Sequence, residues 1–307
     1  MKNYDHIIVV GVDGAGAFFK QADTPNFDKI FAGGAVTYSA LASNPTISAE
    51  CWGSMLLGTS AKVHGLTNEI VEMKPYPQDS EFPSLFRRIR EKYPNDELGA
   101  ICHWTPIISG IIESGTADFT YSEDDPIIHP VILEYILSKK PNFLFIQYDN
   151  VDFNGHYYGY GSKVHLNQIS GIDQKIGQIY DAVEKAGILD STLFMVIADH
   201  GGDYNGENQF ANHGGWTDAE KYVTFAALGK TVNKGVQIEK MNIRDLSSII
   251  LHAYGIDTPE FEIGGWTSQI PAGLFNDAPS EYRDISEEED AAPRISRVQH
   301  TSEPAQK

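Results

Sequence analysis

Leu193–Gly202 reads LFMVIADHGG. Six consecutive apolar residues suit a strand buried on both faces, as in a parallel sheet with helices above and below. The run stops at an acid, an imidazole and two glycines. The same device recurs in HIIVVGVDG (6–14), which ends on Asp13, and in FLFIQYDNVDFNGH (143–156), which carries Asp149 and Asp152. In open α/β sheets functional groups collect beyond the carboxyl ends of the strands. If these strands are parallel, their acids share one rim.

Around these strands the pattern alternates. TPNFDKIFAGGA (24–35) reads as a helix with Thr24 as N-cap, Pro25 in its first turn and Gly33-Gly34 as its stop. AVTYSAL (35–41) alternates like a strand, and ISAECWGSMLLGTS (47–60) has helical apolar spacing that opens near Ser48. PSLFRRIREKYP reads as a helix, LGAICHW as a strand and HPVILEYILSKKP as a helix. A long helix follows over about 163–186, then strand YVTFAALG and helix IRDLSSIILHAYG. Strands alternating with helices place the chain in the α/β class, with a mostly parallel central sheet flanked by helices. We expect one domain over 1–276, with less regular cap or specificity elements at about 66–128. The composition of 277–307 is that of a disordered polar tail.

Bulk composition narrows the function. The 307 residues are 41% hydrophobic and carry a net charge of −19. This argues against a nucleic-acid binder, which needs a basic face to displace counterions. A phosphorylated substrate stays open, because bound cations reverse the local field. Two cysteines make a disulfide framework improbable. The first apolar run is too short for a signal segment or a membrane span, so we expect a cytoplasmic protein with no membrane partner.

An Asp after a strand usually caps a helix or forms a turn. The joint occurrence here is more telling: His156 lies four residues after Asp152, His200 follows Asp199, and His213 sits in NHGG. Carboxylates with imidazoles are ligands for zinc or a similar divalent metal. Seven such groups suit two ions. Ser48, at a helix start where free N–H groups favour an anion, is the candidate nucleophile; its alternative is a plain N-cap. Thr46 is a weaker candidate. Trp52, Trp104 and Tyr157-Tyr158 are candidates for stacking on a planar leaving group or for ordinary packing.

In this order the parts resemble the alkaline phosphatase superfamily, above all its nucleotide pyrophosphatase/phosphodiesterase-like branch. GSMLLGTSAKVHG, VDFNGHYYG and ADHGG carry the likeness across most of residues 5–275. The resemblance implies one metal on Asp152, His156 and His213, and a second on Asp13, Asp199 and His200 with Ser48. It implies Zn2+ first and Mn2+ second, a small phosphorylated substrate with nucleotides among the candidates, and a phospho-Ser48 intermediate. Asp149 would be structural support. Metal binding needs neutral imidazoles, so activity should decline below a pH of roughly 6. In that branch's pattern an Asn three residues past the nucleophile holds a phosphate oxygen; Cys51 stands there, after Glu50. "LTNEI" (66–70) is a further stretch that could face the site. Phosphomutases and sulfate or phosphonate ester hydrolases are the alternatives within the superfamily, although the sulfatase signature C-x-P-S-R is absent. A non-catalytic nucleotide binder is disfavoured, because Asp13 occupies the second Gly position of a dinucleotide loop and would repel a pyrophosphate.

Overall fold

Apolar runs without alternation become the centre of one sheet. The computed structural model describes residues 1–203, 212–260, 265–277, 279 and 281–284. Its strands are β1 (His6–Val12), β2 (Ala35–Leu41), β3 (Leu98–Cys102), β4 (Phe119–Tyr121), β5 (Phe143–Tyr148), β6 (Thr192–Ala198), β7 (Tyr222–Leu228) and β8 (Val236–Gln237). They lie in the order β4-β3-β5-β1-β6-β7-β2-β8. Every residue of β5 and β6 is buried, as their apolar runs Phe143–Ile146 and Leu193–Ala198 require; Gln147 of β5 is the buried polar exception.

The helices are α1 (Pro25–Phe31), α2 (Ser48–Leu57), α3 (Ala61–His64), α4 (Asn68–Met73), α5 (Leu85–Lys92), α6 (Pro106–Gly110), α7 (Asp125–Lys139), α8 (Asn150–Tyr158), α9 (Lys163–Lys185), α10 (Asp218–Lys221) and α11 (Asp245–Tyr254). α9 buries Ile169, Ile172, Ile176, Ile179 and Val183, a stripe at helical spacing, and packs on α1, α7 and α8. α2 and α5 pack on α11. No helix among the described residues is long and apolar enough to cross a membrane.

Register aligns the acids. Val12 of β1 pairs with Tyr148 of β5 on one side and Ala198 of β6 on the other. Both pairings are parallel, so the next residues, Asp13, Asp149 and Asp199, leave the sheet at the same level. β7 departs from the parallel rule and runs antiparallel to both β6 and β2. A parallel return would need a crossover traversing the sheet. Instead Asp203 and Asn212 bridge each other, so the connection turns back at the rim where β6 ends. His213 is thereby delivered to the same rim.

One local expectation changes. Thr24 makes no capping hydrogen bond for α1. The cap is tertiary: the Asp173 carboxylate of α9 accepts from Asn26 N (3.1 Å) and Phe27 N (2.7 Å). The stretch 66–128 threads through the sheet, since β3 and β4 come from it, while α4 and α6 pack on each other. Most of 277–307 lies outside the described residues. Within it Tyr282 donates to Asp245 Oδ2 (2.6 Å) and Arg283 N to Gln269 Oε1 (3.1 Å), so 281–284 rest against the domain.

Candidate metal centre and nucleophile

Each rim acid has one oxygen tied down by donors and another left for the hollow. Asp13 Oδ2 accepts from Trp52 Nε1 (2.9 Å) and Gln147 Nε2 (3.0 Å). Asp199 Oδ1 accepts from Gly14 N (3.0 Å) and its neighbour His200 N (2.8 Å). Asp152 Oδ1 accepts from Tyr160 Oη (2.6 Å). The remaining oxygens Asp13 Oδ1 and Asp199 Oδ2 are buried with no hydrogen-bond partner among the described residues. Leaving a buried charged acceptor unmet costs several kcal/mol in general, so such atoms mark a place for a cation.

The imidazoles are oriented to match. His200 Nδ1 donates to Gly201 O (3.0 Å) and His213 Nδ1 to Thr46 O (2.6 Å). This leaves both Nε2 lone pairs free, the usual tautomer of a metal-binding histidine. His200 Nε2 lies 3.4 Å from Asp13 Oδ1, 3.3 Å from Asp199 Oδ2 and 3.2 Å from Ser48 Oγ. His156 Nε2 lies 3.1 Å from Asp152 Oδ2 and 3.2 Å from His213 Nε2. The His200 and His213 rings stack at 3.9 Å. Two groups could therefore hold a cation: Asp152 with His156 and His213, and Asp13 with Asp152 and His200. Asp152 belongs to both, whereas the family resemblance implies it for the first alone. Asp199 and Ser48 border the second through His200.

Electrostatics describe a site short of positive charge. Burial, then the charges of Asp199, Asp149 and Asp152, raise Asp13 well above the carboxylate range. Burial and then Asp152 do the same to Asp199. Burial also pushes Asp152 upward, but His156 and His213 beside it hold it well below its usual value. Burial, with His213 alongside, lowers His200, and burial lowers His213. Asp13 and Asp199, which need a counter-charge, and His200 and His213, which burial shifts toward the neutral form, suit the donor set of a divalent cation.

Ser48 is not the cap of its helix. Ile47 is the N-cap residue and makes no side-chain bond, so Ser48 is the first helical residue and its hydroxyl is released from capping. The orphan N–H of Ala49 is met from outside by Asn68 Oδ1 (3.0 Å). Asn68 Nδ2 makes no hydrogen bond among the described residues and stands at the mouth of α2. Thr67 caps α4 through Ile70 N (3.3 Å), which leaves the Asn that follows available.

The Cys51 side chain is buried in the hydrophobic core, and burial raises its thiol well above the ordinary value. The carboxamide beside the N-terminus of α2 is that of Asn68, within the stretch LTNEI. Glu50 is buried too, and burial raises it to about 7, which lessens the repulsion a carboxylate there would exert.

Other candidates find their places. Thr46 Oγ1 donates to Gly215 O (3.1 Å) and accepts from Gly214 N (2.9 Å), so its hydroxyl is committed to holding the loop of His213. Trp52 is fully buried against Asp13 and offers no stacking face. Trp104 is partly buried against the core, while Tyr157 and Tyr158 are exposed. Asp149 Oδ1 accepts from the same Gln147 amide that holds Asp13 (3.0 Å), and burial with the Asp152 charge raises it to about 6. His64 lies behind α2, 3.1 Å from Ser54 Oγ, and burial lowers it to about 4. Both cysteines are free and buried.

Comparison with known proteins identifies the family and the fold. The family model described as type I phosphodiesterase / nucleotide pyrophosphatase matches residues 74–249, more than half of the chain. A curated relative, GPI ethanolamine phosphate transferase 2 of Aspergillus fumigatus, is 25% identical over 228 residues; these span 71% of this chain and 29% of that protein. Murine ectonucleotide pyrophosphatase / phosphodiesterase 5 superposes with a TM-score of 0.68 at 18% identity, covering 83% of this chain and 97% of its own. An inactive variant of that murine protein, in complex with AMP, gives 0.67, again at 18% identity, over 84% of this chain and 97% of its own. The human counterpart gives 0.68 at 16% identity, over 83% and 96%. At these identities the likeness is one of fold.

Proposed function

We infer the reaction from one premise: the chain belongs to the type I phosphodiesterase / nucleotide pyrophosphatase family. It acts as a phosphoric ester hydrolase with Ser48 as nucleophile and two divalent cations as cofactors. The observation that carries this reading is the convergence on one hollow of the Ser48 hydroxyl, the His200 Nε2 and the two unpartnered oxygens of Asp13 and Asp199.

Asp152, His156 and His213 would hold one cation, and Asp13, Asp199 and His200, with Ser48, the other. Bound there, such ions supply Lewis acidity that activates a hydroxyl at neutral pH and offsets charge on phosphorus. Imidazole and carboxylate donors favour Zn2+, with Mn2+ the second choice. Ser48 Oγ attacks phosphorus in line with the departing oxygen and becomes phosphorylated as the ester bond breaks. Asn68 Nδ2 donates to a non-bridging oxygen, while Asn68 Oδ1 stays on Ala49 N. Water then attacks phospho-Ser48 from the side the leaving group vacated, releasing phosphate or its monoester and restoring the hydroxyl.

The AMP complex of the murine relative supports a nucleotide-like substrate. A second reading follows from the curated relative's name: phospho-Ser48 could pass its group to an alcohol instead of water. A panel of p-nitrophenyl phosphate, bis-p-nitrophenyl phosphate and a nucleotide p-nitrophenyl ester, with Zn2+ or Mn2+ and with or without an added alcohol as acceptor, decides between them. Free phosphate, p-nitrophenyl phosphate or nucleotide as the sole phosphorus-containing product supports hydrolysis, and a phosphate ester of the added alcohol supports transfer. Turnover surviving exhaustive chelation would overturn the metal reading.

A further inference from the structure

We propose that Tyr160 is the positioning residue of the Asp152–His156–His213 set: one side chain that aligns all three groups for their cation. The proposal rests on the metal reading above. Tyr160 lies beyond the end of α8, between Gly159 and Gly161, and is nearly buried. Its hydroxyl donates to Asp152 Oδ1 at 2.6 Å, which leaves Oδ2 facing His156 Nε2 at 3.1 Å. Its ring stands edge-on to His156 (5.6 Å, 75°) and to His213 (6.4 Å, 84°), with His165 against it at 5.3 Å. Asp152 and His156 come from one helix, and His213 comes from the far side of the rim. The phenol is a wall common to all three.

The space for that wall is built into two motifs. A Cβ on Gly155 would stand 2.4 Å from Tyr160 Cε1, and one on Gly202 would stand 2.3 Å from Cε2. Real Cβ atoms do not approach so closely, so the ring slots between two positions that must lack a side chain. This gives a physical reason for the Gly of DFNGH and for the second Gly of ADHGG. Outer hydrogen bonds to metal-binding carboxylates characteristically change affinity by about 10–100-fold when removed. Tyr160→Phe keeps the ring in its slot and removes only the donor.

The test is zinc titration against a chromophoric competitor, together with elemental analysis, on the full-length wild type, Tyr160→Phe and Tyr180→Phe as a control on α9. We expect two zinc ions in the wild type and the control. Tyr160→Phe should weaken the ion on Asp152, His156 and His213 by about 10–100-fold and the other, which Asp152 also borders, by less, with an unchanged melting temperature in chelator and activity restored by excess zinc. Gly202→Ala, which pushes into the ring, should give the same unequal loss. If Tyr160→Phe binds both ions as tightly as the wild type, the positioning role is overturned while the metal reading stands. Equal weakening of both ions with a lowered melting temperature would also overturn it, as a merely structural effect. A wild type that binds no zinc or manganese would overturn both.

Discussion

The two halves of the hollow are held in different ways. Asp13 and Asp199 directly follow adjacent strands and are oriented by a buried indole, a buried amide and two backbone N–H groups. Asp152, His156 and His213 come from a helix and a returning loop, are partly accessible, and share one phenol. The strand-end half inherits its precision from the register of the sheet, which is indifferent to what the rim carries. The helix-and-loop half has to be assembled by side chains. It should therefore be the half more sensitive to single substitutions outside the ligands themselves.

Four experiments sharpen or break this contrast, beginning with the largest effect. Ser48→Ala removes the hydroxyl that the strand-end half surrounds, and phosphoester turnover should fall by at least about 10³-fold. A rate near that of the wild type would move the nucleophile elsewhere. Asn68→Ala removes the carboxamide at the mouth of α2. We expect kcat to drop by roughly 10²–10³, as for loss of one oxyanion donor, with zinc content unchanged; a change in zinc stoichiometry would argue against that role. Trp52→Phe takes one of two donors from Asp13 while Gln147 remains. Zinc affinity at one ion should weaken by about 10-fold, the lower end of such effects, and a loss larger than that of Tyr160→Phe would reverse the contrast between the halves.

The smallest effect is one of pH. Burial lowers His64 to about 4, below its ordinary value, so the unfolded chain takes up the proton first. Stability present above a pH of about 6.5 is lost as the pH falls towards 4. His64→Gln should flatten this part of the unfolding profile of the metal-free protein, as read by urea melts between pH 7 and 4. An unaltered profile would remove His64 from the account.

Much of the strand-end half is legible in the sequence. Unbroken apolar runs mark buried strands, and an acid directly after each of three such runs needs only a parallel register to become a cluster. The antiparallel course of β7 is not legible, because hydrophobic pattern carries no strand direction. His213 is placed by its family motif, not by reasoning about the chain's path. The donor role proposed for Asn68 is not legible, because the residue's place beside Ala49 depends on where α4 docks on α2; the Thr before it, able to cap, is the available hint. Trp52 reads as a candidate platform, yet its indole N–H is spent on Asp13, a contact between residues 39 apart in the chain. Tyr160 leaves no periodic trace at all. It could be sought as the reason for the glycines at 155 and 202, which local turn chemistry does not explain.

Everything turns on whether two cations occupy this one hollow. A crystal of the zinc-loaded protein, with anomalous maps recorded above and below the zinc edge, measures this directly. Two peaks about 4 Å apart are predicted, one among Asp152, His156 and His213, the other among Asp13, Asp199, His200 and Ser48. No peak in the hollow, or peaks only at surface histidines, would contradict it.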